Sequence, residues 1–224
     1  AIWDLSHSIG AVHIDMESNE SDFAVGCTYK YLNGGPGSPA FIYVRENQLK
    51  KLKSPIKGWF SHKKPFDFSE EYQESNSMEK FSNGTPHILS LSTLKSSLDI
   101  TISASTKKLE NKSHKLFHFF ESIYKEKLSG KKFKLITKNN RDESGSHISL
   151  HHNEAWRISQ CLIYPIRNTS IKIIVDYRPN NIIRIALTPL YTSFKDINIL
   201  CERIVEIIDN KEFKQKDNTK EGVT

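Results

Sequence analysis

Lys30 stands where an apolar stretch gives out. Phe23-Ala24-Val25-Gly26-Cys27 reads as a short buried strand, and Asn33-Gly34-Gly35-Pro36-Gly37 cannot prolong it. The lysine therefore falls at the C-terminal edge of the strand, where ligands gather in open α/β sheets. A lysine partly withdrawn from water between Tyr29 and Tyr31 can form a Schiff base with a carbonyl cofactor, because burial disfavours its ammonium form and frees the lone pair. The other reading is a loop lysine whose stem lies along the surface while its ammonium reaches water. This stretch alone leaves the two level.

Two further segments bear on that choice. Ala1-Ile2-Trp3-Asp4-Leu5-Ser6-His7-Ser8-Ile9-Gly10 reads as another buried strand ending in polar groups. A carboxylate at such an end can face a pyridine nitrogen and keep it protonated, which makes the ring an electron sink; otherwise Asp4 is a turn or cap residue. His7 can stack on a ring or donate to a phosphate, or serve as an ordinary satisfied polar residue. Arg184 lies inside the apolar run Ile182-Ile183-Arg184-Ile185-Ala186-Leu187 and needs a carboxylate. Its planar fork suits a substrate α-carboxylate held by two parallel bonds, but Asp176 can supply the same partner, and the residues alone favour Asp176.

The elements that must hold these residues follow from pattern. Ala40 to Val44 is a strand returning beside the first. From Lys50 to Phe81, Pro55, Gly58, Pro65 and the aromatics Trp59, Phe60, Phe66, Phe68 and Tyr72 indicate a long ordered excursion, of the kind that carries function or meets a partner. Pro86 opens a helix over His87 to Thr101 with Ile88, Leu91, Leu94 and Leu98 at helical spacing. A second helix, Thr106 to Leu128, buries Leu109, Leu116, Phe120, Ile123 and Tyr124. His114 and His118 sit at i, i+4 on its other face without a third ligand, so they read as surface histidines. Strands at Lys132–Ile136 and His147–His151 flank a polar loop, Lys138 to Ser146. A helix over Glu154–Ile163, β-rich segments Ile171–Tyr177 and Ile182–Leu187, and a last helix capped by Ser193 and Asp196 complete a small α+β domain.

Composition narrows the class. The 224 residues are 37% hydrophobic and 26% charged, a globular balance, with no apolar run long enough to cross a membrane and no charged leader before the first strand. Cys27, Cys161 and Cys201 are few and scattered, as in a reducing cytoplasm. The net charge of +6 invites nucleic acid. The lysines, though, are dispersed as Lys50-Lys51-Lys53, Lys63-Lys64 and Lys131-Lys132 without an aromatic-basic stripe, so a solvated basic surface is the better reading.

The pairing of W-D-L-S-H-S-x-G with D-F-A-V-G-C-T-Y-K-Y-L-N-G-G-P-G resembles kynureninase, a pyridoxal-phosphate (PLP) enzyme of the type I, aspartate aminotransferase-like fold. The likeness continues through Gly58-Trp59-Phe60-Ser61-His62, Phe81-Ser82-Asn83-Gly84-Thr85-Pro86 and Arg184-Ile185-Ala186-Leu187-Thr188-Pro189-Leu190-Tyr191-Thr192-Ser193-Phe194, and so spans nearly the whole chain. Cysteine desulfurases share D-x-x-H-x-x-G but usually place histidine directly before the lysine, where this chain has Tyr29.

The resemblance implies an α/β chain forming the C-terminal part of a type I fold. Residues 1–96 would belong to the large PLP-binding domain, 97–212 to a small α+β domain, and 213–224 to a frayed polar tail. It implies a missing N-terminal region bearing the phosphate-binding loop and an aromatic residue that stacks on the ring. Lys30 would form the internal aldimine and then move protons at Cα, Asp4 would face the pyridine nitrogen, and His7 would also bind the cofactor. Tyr29 would contact the phosphate and assist proton transfer near the side-chain carbonyl. Trp59 would lie by the phosphate and Thr85 by cofactor and substrate, both reaching into the neighbouring subunit's site of a homodimer, while Arg184 would hold the substrate carboxylate. The implied reaction is hydrolysis of the Cβ–Cγ bond of L-kynurenine or 3-hydroxykynurenine to anthranilate or its 3-hydroxy form and L-alanine, in cytoplasmic tryptophan catabolism and NAD biosynthesis, with no metal, nucleic acid or membrane. Another type I PLP enzyme such as a cysteine desulfurase-like lyase, a basic binding module, and an inactive fragment lacking half its site are the alternatives.

Overall fold

The computed structural model describes residues 1–137, 144–167 and 171–219. Most of the expected polar loop at 138–146 and the end of the tail lie outside them. The chain forms two compact units, Ala1–Thr106 and Lys107–Thr224.

The first unit is built on a three-stranded sheet in the order β1 (Ile2–Asp4), β2 (Phe23–Cys27), β3 (Ala40–Val44). β1 runs parallel to β2 with Asp4 opposite Val25, and β3 returns antiparallel with Ala40 opposite Cys27. Ala24 and Gly26 are buried on one face, and a Cβ on Gly26 would fall 2.6 Å from the Phe41 ring. The expected strand at the start of the chain is present but not buried: Ile2 is 71% and Trp3 54% exposed. Among the described residues β1 is the edge strand of its sheet, paired on one side only.

After a single helical turn, α1 (Glu46–Leu49), the excursion runs to Phe81 through short 3₁₀ turns at Trp59–Ser61 and Met78–Phe81. It is ordered by polar bonds rather than by regular elements. Ser61 Oγ and Tyr72 OH are 2.8 Å apart, and the Ser75 amide donates to Ser61 O at 2.9 Å. Buried Lys80 donates to the carbonyls of Leu49 and Leu52 at 3.2 and 3.0 Å and faces Glu74 at 3.6 Å. A buried ammonium is tolerable only when so surrounded by oxygen. The helix α2 (Ile88–Ala104) starts as expected after Pro86, but of its apolar stripe only Leu94 is fully buried. Leu89, Ile100 and Ile102 lie outside that stripe and are exposed, so this helix is apolar on more than one side and has no single inward face.

The second unit packs three helices on one face of an antiparallel sheet. α3 (Thr106–Ile123) passes into a π turn at Tyr124–Leu128. The strands β4 (Lys134–Leu135), β5 (His147–His151), β6 (Asp176–Arg178) and β7 (Ile182–Ala186) pair in the order β4-β5-β7-β6. Alternation sends Ile148, Leu150, Tyr177, Ile183 and Ile185 into the core. There they meet Leu116 and Phe120 of α3, Ile158 and Leu162 of α4 (Ala155–Ile163), and Ile197, Ile204 and Ile207 of α5 (Phe194–Asp209). α5 opens on the expected capping box: the Ser193 amide donates to Asp196 Oδ2 at 2.8 Å and the Asp196 amide to Ser193 Oγ at 3.2 Å. The expected strand over Ile171–Tyr177 is shorter than its composition suggests, pairing only from Asp176. Ile171 and Ile174 stay exposed, because β propensity without a neighbouring strand gives no ladder.

Candidate active site

The parallel pairing of β1 with β2 brings their C-terminal ends to one edge, and with them Asp4 and Lys30. The Leu5 amide donates to Val25 O at 2.8 Å as the last bond of the pair, and both chains then turn away. On the Lys30 side the turn is closed by the Asn33 amide to Lys30 O at 3.0 Å and the Gly34 amide to Thr28 O at 2.9 Å. Asn33 takes a left-handed conformation (φ 55°), which asparagine tolerates better than most side chains. Space at Gly34 is tight: a Cβ there would lie 2.2 Å from Ser38 Oγ and 3.0 Å from Thr28 O. Thr93 of α2 donates to Gly34 O at 3.4 Å, tying the loop to the helix.

Asp4 is fixed by its own turn. The Ser6 amide donates to Asp4 Oδ1 at 2.8 Å, and the Ser6 hydroxyl and amide together hold the Asp4 carboxyl below its ordinary range, with the charges of Lys30 and His7 adding to the effect. The carboxylate is thus kept ionised on the side where Lys30 lies. Lys30 is half-buried, with Nζ 5.5 Å from the centre of the exposed Tyr29 ring, whereas Tyr31 is buried. Four of the expected residues, Asp4 at the end of β1 and His7, Tyr29 and Lys30 in the loops that follow β1 and β2, therefore lie at one sheet edge. An ionised carboxylate and an amine on one exposed edge fit the two poles of PLP, a pyridine nitrogen and an aldehyde, so these residues suit the group.

Trp59 and Thr85 belong to a different part of the first unit. Gly58 lies against the backbone of Asn83, where a Cβ would come within 1.9 Å of the carbonyl oxygen, so only glycine allows the two expected segments to meet. Trp59 is stacked edge-on with Phe60 and Phe66 at 4.3 and 5.6 Å between ring centres. Its indole remains about half exposed and borders a cavity with Lys57, His62, Phe68 and Tyr72. Thr85 is exposed.

Arg184 lies in β7 of the second unit, on the sheet face opposite the core, and lines a cavity of about 710 Å³ with His147, Thr188 and Tyr191. Its guanidinium is ion-paired with Asp176 directly across the strand pair, the protein partner that the residues alone favoured. Arg178, which the sequence reading passed over, binds the same carboxylate oxygen at 2.8 Å. The i, i+2 spacing of Asp176 and Arg178 on a strand was the available signal.

Burial pushes the Cys161 thiol up to about 11 and the Cys201 thiol up to about 12, so neither is a ready nucleophile. Cys27 lies within β2, its thiol 3.7 Å from Ser6 O. Among the described residues no three metal-ligating side chains gather, and no helix is long and apolar enough to cross a membrane.

Residues 109–204 match the family described as the kynureninase C-terminal domain. A kynureninase from Pseudomonas fluorescens is 36% identical over 215 residues, 96% of this chain and 50% of that protein. One from Burkholderia mallei strain SAVP1 is 35% identical over 213 residues, 95% of this chain and 50% of that protein. The chain thus spans about half the length of these relatives. Among solved structures, the apo cysteine desulfurase of Thermococcus onnurineus NA1 superposes with a TM-score of 0.73 at 17% identity, covering 93% of this chain and 52% of that one. A C-DES mutant with glycine covalently linked to its PLP cofactor gives 0.67 at 14% identity over 89% and 49% of the two chains. These likenesses give the expected α/β fold, the C-terminal part of a type I architecture.

Proposed function

We propose that the chain belongs to the kynureninase family and forms the C-terminal half of a PLP-dependent hydrolase. This enzyme cleaves the Cβ–Cγ bond of L-kynurenine or 3-hydroxykynurenine, giving anthranilate or 3-hydroxyanthranilate and L-alanine. Water supplies the hydroxyl that ends on the aromatic carboxyl and the proton that ends on the methyl carbon of alanine. The observation that carries the reading is the shared edge: β1 ends at Asp4, and Lys30 follows three residues after the end of its parallel neighbour β2.

When bound, PLP supplies an aldehyde carbon and an electron-withdrawing ring. Lys30 anchors it through its amine and moves a proton at the substrate Cα. Asp4, kept ionised by Ser6, holds a proton on the pyridine nitrogen. His7 and Tyr29 border the same edge and bind the cofactor from there, Tyr29 also guiding a proton to the substrate side chain. Arg184 anchors the α-carboxylate and so fixes which bond faces the reacting groups. Trp59 and Thr85, on an exposed part of the first unit, contribute to the site of a second subunit in a cytoplasmic homodimer. A cysteine desulfurase-like lyase has the fold behind it, but Cys161 and Cys201 are buried with raised thiols and Cys27 lies within β2, so none of the three is well placed as its nucleophile.

The test is an absorbance spectrum of the full-length protein with added PLP, then borohydride reduction and peptide mapping. The reduced adduct is expected on Lys30; an adduct on another lysine overturns the assignment. The 224 residues alone are expected to bind PLP weakly and to release no anthranilate, and robust turnover by them refutes the half-enzyme reading.

A further inference from the structure

Asp176 Oδ2 is shared by two arginines. Arg184 reaches it through Nη2 from the neighbouring strand, and Arg178 reaches it through Nη2 at 2.8 Å and Nε at 2.9 Å from two residues along. Asp176 Oδ1 is buried and accepts no hydrogen bond among the described residues, so this carboxylate is held for its arginines and not for solvation. Arg184 and Asp176 both line the 710 Å³ cavity, while Arg178 is outside its lining.

The three charges sum to +1. A single carboxylate on Arg184 would fix the guanidinium but cancel its attraction for an incoming anion. A second arginine on the same oxygen draws off part of that negative charge and leaves the trio cationic. A long side chain held in one orientation also loses less freedom when it binds a planar anion.

We propose that Asp176 is a positioning residue that aims the Arg184 guanidinium into the cavity toward the α-carboxylate of an amino-acid substrate, with Arg178 preserving the positive charge needed to attract it. The proposal rests on reading Arg184 as the carboxylate anchor.

The experiment compares D176N, D176E, R178Q and R184Q in the full-length, PLP-loaded protein. It measures KM and kcat for L-kynurenine, and calorimetric affinity for L-alanine against L-alaninamide, which lacks the carboxylate. D176N is expected to raise KM about tenfold with a smaller fall in kcat, and to lose about tenfold in preference for alanine over its amide. D176E should restore most of both, and R178Q should lower the preference severalfold. If D176N keeps the wild-type KM and preference while R184Q loses them, the proposal fails and the Arg184 anchor stands. If R184Q itself keeps the preference, the anchor reading fails first. Should D176N not fold, R178Q decides alone: an unchanged preference overturns the proposal.

Discussion

Gly10 lies so close to the Tyr31 carbonyl that a Cβ on it would meet that oxygen at 2.9 Å and Leu32 Cδ2 at 3.0 Å. This contact joins the turn that follows Asp4 to the turn that follows Lys30, and so sets the spacing of the two groups from behind. Gly10 also has φ 82°, a region costly for any side chain. Gly10→Ala is expected to lose about 1–3 kcal/mol of stability and to spread the two loops, lowering the yield of the borohydride-reduced adduct on Lys30. A urea midpoint and an adduct yield both equal to wild type would show that the loops are spaced by something else.

Asp4 is exposed, so its role depends on remaining a carboxylate, not on packing. Ser6 already holds its pKa below the ordinary value. Asp4→Asn keeps the shape and the acceptor for the Ser6 amide but removes the charge opposite a bound pyridine nitrogen. Expected is a fall in kcat of roughly 10²-fold or more, the order seen when a preorganised electrostatic group is removed, with circular dichroism unchanged. Asp4→Glu should recover part of the rate. Activity of Asp4→Asn near the wild-type level would remove the carboxylate from the mechanism.

What could be read beforehand depended on whether local chemistry was self-sufficient. The end of the strand Phe23–Cys27 was legible because the glycine-proline turn stops a strand by itself, and the Ser193–Asp196 box was legible because its bonds are internal. Ile2 and Trp3 misled because an apolar strand carries no mark of whether a layer will cover it. Ile171 and Ile174 misled in the same way: branching favours a strand, but only a neighbour makes one. At the candidate site, Asp4 and Lys30 were proposed from their places at strand ends. Arg178 escaped because its importance comes from a cross-strand partner eight residues from Asp176 in sequence, Arg184, and Gly10 because close backbone approach leaves no trace except the glycine itself.

His152 gives the second unit a pH dependence. It is buried against the Phe133 ring at 4.5 Å, and its Nδ1 accepts the Glu154 amide at 3.0 Å. Burial pushes its pKa down, with the nearby Glu154 charge opposing that only in part. The folded state therefore takes up this proton at lower pH than the unfolded chain, whose imidazole titrates near 6.5. Between those two values the unfolded state binds more protons, so stability rises with pH there and is lost as pH falls below about 6.5. Urea midpoints at pH 7.5 and 5.5 should differ in that direction, and the difference should shrink in His152→Phe. An equal slope in the variant would assign the effect to other groups.

Arg203 and Glu212 form a buried ion pair in the second unit. Both side chains are nearly inaccessible, with Arg203 Nη2 2.6 Å and Nη1 3.2 Å from the two Glu212 oxygens and Nη1 2.7 Å from Glu206 Oε2. The fork of α5 thus grips the 3₁₀ turn at Glu212–Gln215, and the arginine hydrogen bonds hold the Glu212 carboxyl below its usual range. That depressed value adds stability present above the ordinary glutamate range and lost as pH falls through the folded value. Arg203→Met leaves a buried carboxylate without its cation and is expected to cost about 3–5 kcal/mol. Replacing both partners, as Arg203→Met with Glu212→Leu, removes the stranded charge and should recover most of that loss, because a desolvated pair is worth little against apolar groups of similar size. The check is a double-mutant cycle by urea unfolding at pH 7.5. Additive losses in the double variant would mean the two residues act independently, and the grip of α5 on the turn would then have to come from packing alone.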